Sequence, residues 1–304
     1  MIELMLPALV ASLILAGILG YLGIHIIARG VIFVDLALAQ VAALGWTAAG
    51  LGLGAGLGNW LGIPSEEAGY AIGLATTLVA AALFSITRME NRYVPQEAII
   101  GIVYVVASAG TILLAAQAPR GAEHVEELLT GSLLWVTWPE IVKTGVVSAA
   151  AGLAHWFLRK RFLTISLRPA EARTRGWSLV WWDFLFYALF GVVVTSSVAI
   201  AGVLVVFSFL VIPAVIAFLF TTSTVRLLTI AWTAGTAATV FGLYVSYRSD
   251  LPTGPVVVCA FALVLVLAFA ARPVLRRKVR QARRQDETWE QVGPAPKSDA
   301  AGKA

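Results

Sequence analysis

Two polar side chains, Asp35 and Gln40, lie in RGVIFVDLALAQVAALGWTAAGLGLGAGLG, an otherwise apolar stretch long enough to cross a bilayer. Polar groups in such a stretch usually face a bundle interior or a hydrated path. Five residues of helix turn through about 500°, or about 140° net, so the two do not share one face but can flank one cavity. A carboxylate there offsets the charge of a cation more strongly than it would in water, because the surroundings have a low dielectric constant. The plainer reading is that Asp35, a turn or so from its helix start, pairs with a basic neighbour such as Arg29 and serves structure alone. The sequence leaves both readings open.

Other residues invite chemistry more weakly. Glu97 follows Pro95 at the start of an apolar run, where a carboxylate favours a helix N-terminus; capping is the expected role, with a gate or ion exit as the alternative. His124 stands among Glu123, Glu126 and Glu127, a set that could collect a divalent cation or form the solvated face of a short amphipathic helix. In RKRFLTISLRPAEARTRGW, Pro169 opens a short helix with Glu171 early, Arg173 within and Gly176 at its end. Pro213 removes a hydrogen bond inside an apolar run, which predicts a kink or broken helix, and Ser208 nearby could line a path. His25 and His155 are expected as satisfied interface histidines, and Asp183, in GWSLVWWDF, has no assigned role. The single Cys259 excludes an intrachain disulfide and a thiolate zinc cluster. No Walker A pattern occurs, so nucleotide binding of that kind is not expected in this chain.

The elements that must position these residues follow from composition. Of 304 residues, 59% are hydrophobic and 13% charged, and the mean hydropathy is +0.86, which excludes an ordinary soluble domain. The net charge of +5 is gathered in short segments between uncharged runs, as membrane proteins distribute it, so no nucleic-acid partner is expected. Because a bilayer core needs about 20 apolar helical residues, segments 4–28, 31–57, 68–87, 98–118, 137–158, 227–247 and 253–271 each fit one span. The uncharged run 184–225 fits two, with a break near Ala201 and Gly202. The fold class is therefore all-α, a polytopic transmembrane bundle of about nine (eight to nine) spans, one of them broken at proline. Of the 22 basic residues, all but Arg120, Lys143 and Arg248 fall on one side, which the positive-inside rule assigns to the cytoplasm together with the C-terminus. Gly50, Gly54 and Gly58 repeat at the spacing that lets helices approach closely. A permease domain over 1–275 and a tail over 276–304 are expected, the tail basic, then polar and disordered.

Six segments resemble the integral-membrane permeases of the zinc, manganese and iron ABC importer family. IFVDLALAQVAALG is similar to the family's V-F-x-G-D-A-L-S-H-A-x-L-P-G, but Leu36 falls on the family's aspartate, Gln40 on its histidine, and Asp35 one place earlier on its glycine. PQEAIIG resembles the start of the fourth span, with Glu97 in the acidic position. LLTGSLLWVTW, AGVLVVFSFLVIPAVIAFL and YRSDLPTGPVVV match further family segments in order. The stretch RPAEARTRG, within loop 159–177, is similar to the cytoplasmic coupling helix that docks on the family's ATPase subunit. The resemblance implies a bacterial or archaeal plasma-membrane permease working with a second permease chain, identical or paralogous, two ABC ATPase subunits and an extracytoplasmic binding protein. The transported species would be a divalent metal, no cofactor being bound by this chain. The Asp and Gln oxygens depart from zinc's preferred nitrogen and sulfur ligands, which keeps another cargo of the wider group, a metal chelate or cofactor, in play. An ATPase-independent channel or secondary transporter is the remaining alternative.

Overall fold

A computed structural model describes residues 2–87, 94–117, 131 and 133–291, with side chains at 5–65, 67–87, 94–117, 131 and 133–272. Among the described residues nine helices are long and apolar enough to cross a membrane. Helix α1 spans Ile2–Arg29, and α2 spans Val34–Ala48 and continues through a π-helical turn, Ala49–Leu53, into α3 at Gly54–Leu61. Helices α4 (Ser65–Ile86), α5 (Gln96–Ala115) and α6 (Trp138–Leu167) follow, then the short α7 (Pro169–Thr174). The chain ends in α8 (Leu179–Ala201), α9 (Val203–Phe220), α10 (Thr224–Ser249) and α11 (Thr253–Gln291).

The most buried spans are those of α1, α8 and α9, while α5, α6 and α11 present most of their surface outward. Exposed Ile102, Val105, Val106 and Leu113 on α5 suit lipid or a partner chain, since lipid is as apolar as the side chains themselves. Inside, Phe186 stacks on Phe190, and Phe209 meets Phe261 edge-on at 4.8 Å between centroids. Hydroxyl pairs tie helices together across this apolar core: Thr77 with Thr195 at 3.2 Å and Tyr70 with Ser196 at 2.6 Å join α4 to α8.

The break expected near Ala201 and Gly202 is present. Gly202 takes φ 76 and ψ 161, separating α8 from α9. Its neighbour Gly131, at φ 68, leaves no room for a side chain, because a Cβ would run into the Ala201 carbonyl group. The expected break at Pro213 is absent. Helix α9 is continuous from Val203 to Phe220 with Pro213 inside it, and the distortion instead falls at Gly52, with φ 117 and ψ −19. One missing backbone bond is tolerable when packing holds both flanks, and α9 is clasped by α1 and α10. Gly52, having no Cβ, can reach φ near 120°, where other residues are strained.

The close helix seam also differs from expectation. Gly50 faces open space, and Gly54 and Gly58 pack on the 62–65 turn. The tight contact between α2 and α4 is made by Gly45, Gly69 and Gly73, where added Cβ atoms would press on Thr76, Trp46 and the Ala42 carbonyl. Helix α11 continues to Gln291, in keeping with its Arg, Lys, Gln and Glu content, all good helix formers. Residues 292–304 lie outside the described residues.

Gly23 of α1 is the closest point of approach to α9, since a Cβ there would strike the Leu210 carbonyl. Gly23→Ala is expected to cost about 1–3 kcal/mol by forcing the two helices apart. This should appear as a lowered thermal midpoint in detergent, whereas Gly101→Ala, inside α5 and facing open space, should leave the midpoint unchanged or slightly raised.

Candidate functional site

Helix α1 ends in a Schellman turn. Gly30 adopts φ 70, Gly30 N–H donates to the Ile27 carbonyl at 3.1 Å and Val31 N–H to the Ile26 carbonyl at 3.3 Å. This geometry needs a left-handed residue, which glycine supplies without strain. The chain therefore reverses within a few residues and starts α2 at Val34, with Asp35 in its first turn. Ile32 N–H donates to Glu97 Oε1 at 2.9 Å. Glu97 thus anchors the turn between α1 and α2 from the first turn of α5.

Asp35 is 1% exposed and Gln40 6%. Asp35 does not pair with Arg29, and its Oδ1 has no hydrogen-bond partner among the described residues. The free N–H groups of the first turn of α2 and the helix dipole make this a tolerable place for negative charge. The backbone N–H groups of Asp35 and Leu36 engage the carboxylate in part, but they leave Oδ1 without the partner that a purely structural carboxylate would be expected to have. The oxygen-donor character of the pair suits a hard cation. Among the described residues no three His, Cys, Asp or Glu side chains gather into a metal-holding group.

Arg29 turns the other way, into a buried cluster that sequence reasoning missed. Its Nη1 donates to Asp183 Oδ1 at 2.5 Å, with the two side chains 3% and 0% exposed. Its Nε donates to Ser166 Oγ at 2.9 Å, and its guanidinium carbon lies 3.8 Å from the Phe186 ring centroid. Ser166 Oγ also shares a hydrogen bond of 2.9 Å with His25 Nδ1. His25 and His155, each 1% exposed, sit with ring centroids 6.0 Å apart among Tyr21, Phe162 and Phe186. They are core residues, not the satisfied interface histidines expected: His25 Nε2 and both ring nitrogens of His155 have no hydrogen-bond partner among the described residues. The signal was in the sequence. Tyr21, His25 and Arg29 recur every four residues, as do Phe162 and Ser166, while Asp183, Phe186 and Phe190 follow at spacings of three and four. Such spacings put each set on one helical face. A groove of about 540 Å³ between α1, α6 and α10 reaches Tyr21 of this cluster, and neither Asp35 nor Gln40 lines it.

The remaining candidates separate. Ser208 is buried and donates to the Leu204 carbonyl of its own helix at 2.9 Å. His124 lies outside the described residues, as do Glu123, Glu126 and Glu127. Helix α7 forms as its residues predict, with Pro169 in its first turn and Gly176 at φ 69 beyond its end. Trp177 N–H donates to the Ala172 carbonyl at 3.2 Å and Gly176 N–H to the Arg173 carbonyl at 2.9 Å, a second Schellman turn. Arg175 Nη2 donates to Glu171 Oε1 at 2.6 Å, and buried Ala172 seats an otherwise exposed helix.

The two buried acids should respond oppositely to neutralisation. Asp183→Asn leaves Arg29 charged and unpaired and is expected to cost about 3–5 kcal/mol. Asp35→Asn removes an incompletely partnered charge and should leave the thermal midpoint unchanged or raised. A fall of several degrees for Asp35→Asn in detergent-solubilised protein would return that residue to a structural role.

The sequence matches the profile of the ABC 3 transport family over residues 1–272. It is similar to the chelated iron transport system membrane protein YfeD of Yersinia pestis, 26% identical over 226 residues covering 73% of this chain and 74% of that one. It is also similar to the manganese transport system membrane protein MntC of Listeria monocytogenes, 27% identical over 209 residues covering 67% and 72%. A chain of PsaBC from Streptococcus pneumoniae in complex with Fab has the same fold, with a TM-score of 0.70 and 22% identity over 88% of this chain and 91% of that one. The profile covers residues 1–272 of the 304 and takes in the nine candidate membrane-crossing helices found among the described residues; the chain belongs to the ABC 3 transport family.

Proposed function

We propose that this chain is the membrane-spanning subunit of an ATP-driven importer that moves a divalent transition-metal cation, delivered by an extracytoplasmic binding protein. The observation that carries the reading is the buried Asp35, with one oxygen unpartnered, in a chain whose relatives are named for manganese and chelated iron transport. Oxygen donors at Asp35 and Gln40 favour manganese or iron over zinc, which prefers nitrogen and sulfur. A path must release what it binds, and a carboxylate assisted by one amide holds a cation less tightly than a closed cage of ligands.

The Arg29 side of the bundle faces the cytoplasm in this reading, because it gathers the basic loops and the tail. There the exposed helix α7 meets an ATPase subunit, with Pro169, Glu171, Arg173 and Gly176 as its coupling residues. ATP hydrolysis is on that partner, and two ATPases serve two permease chains, this one and either a copy or a paralogue. Pro213 and Ser208 contribute to packing beside the path rather than to a break in it. A second reading, that the cargo enters as a metal chelate, is favoured by the relative named for chelated iron and by Gln40, a neutral hydrogen-bonding group.

Reconstitution in proteoliposomes with the ATPase and binding protein tests this directly. Uptake of radiolabelled manganese or iron should require ATP and both partners. Flux without the ATPase would indicate a channel or secondary transporter, and a binding protein that takes only an organic cofactor would overturn the metal reading. Replacing Glu171 and Arg173 together should abolish the stimulation of ATPase activity by loaded binding protein; unchanged stimulation would remove α7 from the mechanism.

A further inference from the structure

The buried cluster occupies a particular place along the chain. Ser166 lies three residues before Pro169, the first residue of α7, and Arg29 lies six before Asp35. The 2.9 Å hydrogen bond from Arg29 Nε to Ser166 Oγ therefore joins the base of the exposed helix to the turn that carries the candidate cation carboxylate. Asp183, in the first turns of α8, holds the same guanidinium from a third helix.

Little slack exists on either side of this junction. Toward α7, only Leu167 and Arg168 separate Ser166 from Pro169, and Arg168 N–H still donates to the Thr164 carbonyl at 2.8 Å. Toward Asp35, the Schellman turn at Gly30 is followed by Val34 N–H donating to the Val31 carbonyl at 3.2 Å, so most of the connection is hydrogen-bonded. Glu97 holds Ile32 from the opposite side. A guanidinium presents its donors in a rigid planar fork. If Ser166 moves, Arg29 must follow it or give up a bond in a buried site, while its face can slide over the Phe186 ring.

We propose that Arg29, Ser166 and Asp183 are positioning residues that convert a displacement of α7 into a displacement of Asp35. They touch neither cargo nor nucleotide. The proposal rests on the reading of α7 as the ATPase contact, and it assigns the buried pair a purpose beyond stapling three helices.

A staple and a transmission link respond differently to an apolar replacement. Arg29→Met combined with Asp183→Leu fills the site and leaves no buried charge, a type of exchange that commonly preserves folding. The complete complex in proteoliposomes, supplied with loaded binding protein and radiolabelled manganese, gives ATP hydrolysed per ion taken up. The double variant is expected to assemble with its ATPase, to hydrolyse ATP, and to use about tenfold more ATP per ion, within the usual range of coupling between sites. Ser166→Ala should shift the ratio in the same direction by a smaller factor, and it provides the readout if the double variant does not assemble. A wild-type ratio in an assembled double variant, or in Ser166→Ala where that variant is the readout, would overturn the proposal. If the Glu171 and Arg173 replacements uncouple the complex while these do not, this inference alone fails; if none of them uncouples it, the reading of α7 fails as well.

Discussion

A charge buried away from water must be neutralised by its surroundings or kept there for a purpose, and this constraint orders the basic end of the bundle. Arg29 shows the first solution. Asp183 balances its charge, Ser166 accepts from its Nε and the Phe186 ring covers its face, so three helices converge on one guanidinium even though its Nη2 has no hydrogen-bond partner among the described residues. Asp35 shows the second. Six residues away, it is as deeply buried, has no counter-charge paired with it, and keeps an oxygen without a partner among the described residues. Had Asp35 taken Arg29 for itself, Asp183 would have lost its balancing charge and α2 would have carried no unspent carboxylate.

Glycines, more than the membrane-embedded proline, shape the path of the chain around these groups. The left-handed turn at Gly30 places Arg29 and Asp35 on opposite sides of one tight connection. Gly202 divides the long uncharged run into two helices, and Gly131 packs against that division where no side chain fits. Gly45, Gly69 and Gly73 let α4 lie close on α2, which fixes the helix that bears Asp35 and Gln40 against its neighbour. Each of these roles is local: a backbone angle or a few ångströms of clearance decides it.

The spans were legible because lipid imposes one rule on every segment, a run of apolar residues long enough to cross. That rule located the nine spans found among the described residues and the break at Gly202, and the Pro169 to Gly176 pattern located α7 with both of its ends. Features set by pairing between distant segments were not legible. Arg29 stands beside Asp35 in sequence, so the nearest acid looked like its partner, whereas the chosen partner lies 154 residues away. Glycine spacing pointed to Gly50, Gly54 and Gly58 because spacing identifies a stripe without saying what faces it. Pro213 promised a break because the cost of a lost bond is intrinsic, while the packing that offsets it belongs to α1 and α10. The polar residues of the buried cluster did carry helical periodicity, but a periodicity of mixed Tyr, His, Arg and Ser is not what a search for apolar faces detects.

In this account one carboxylate is reserved for the cargo while the described charges near it, Arg29, Asp183 and Glu97, are engaged by partners within the protein. Cation uptake by Asp35→Asn protein, in cells where its amount in the membrane equals that of the unaltered chain, tests that claim most directly. The account predicts normal insertion and abolished uptake. Uptake at the unaltered level would contradict it and leave Asp35 as part of the scaffold.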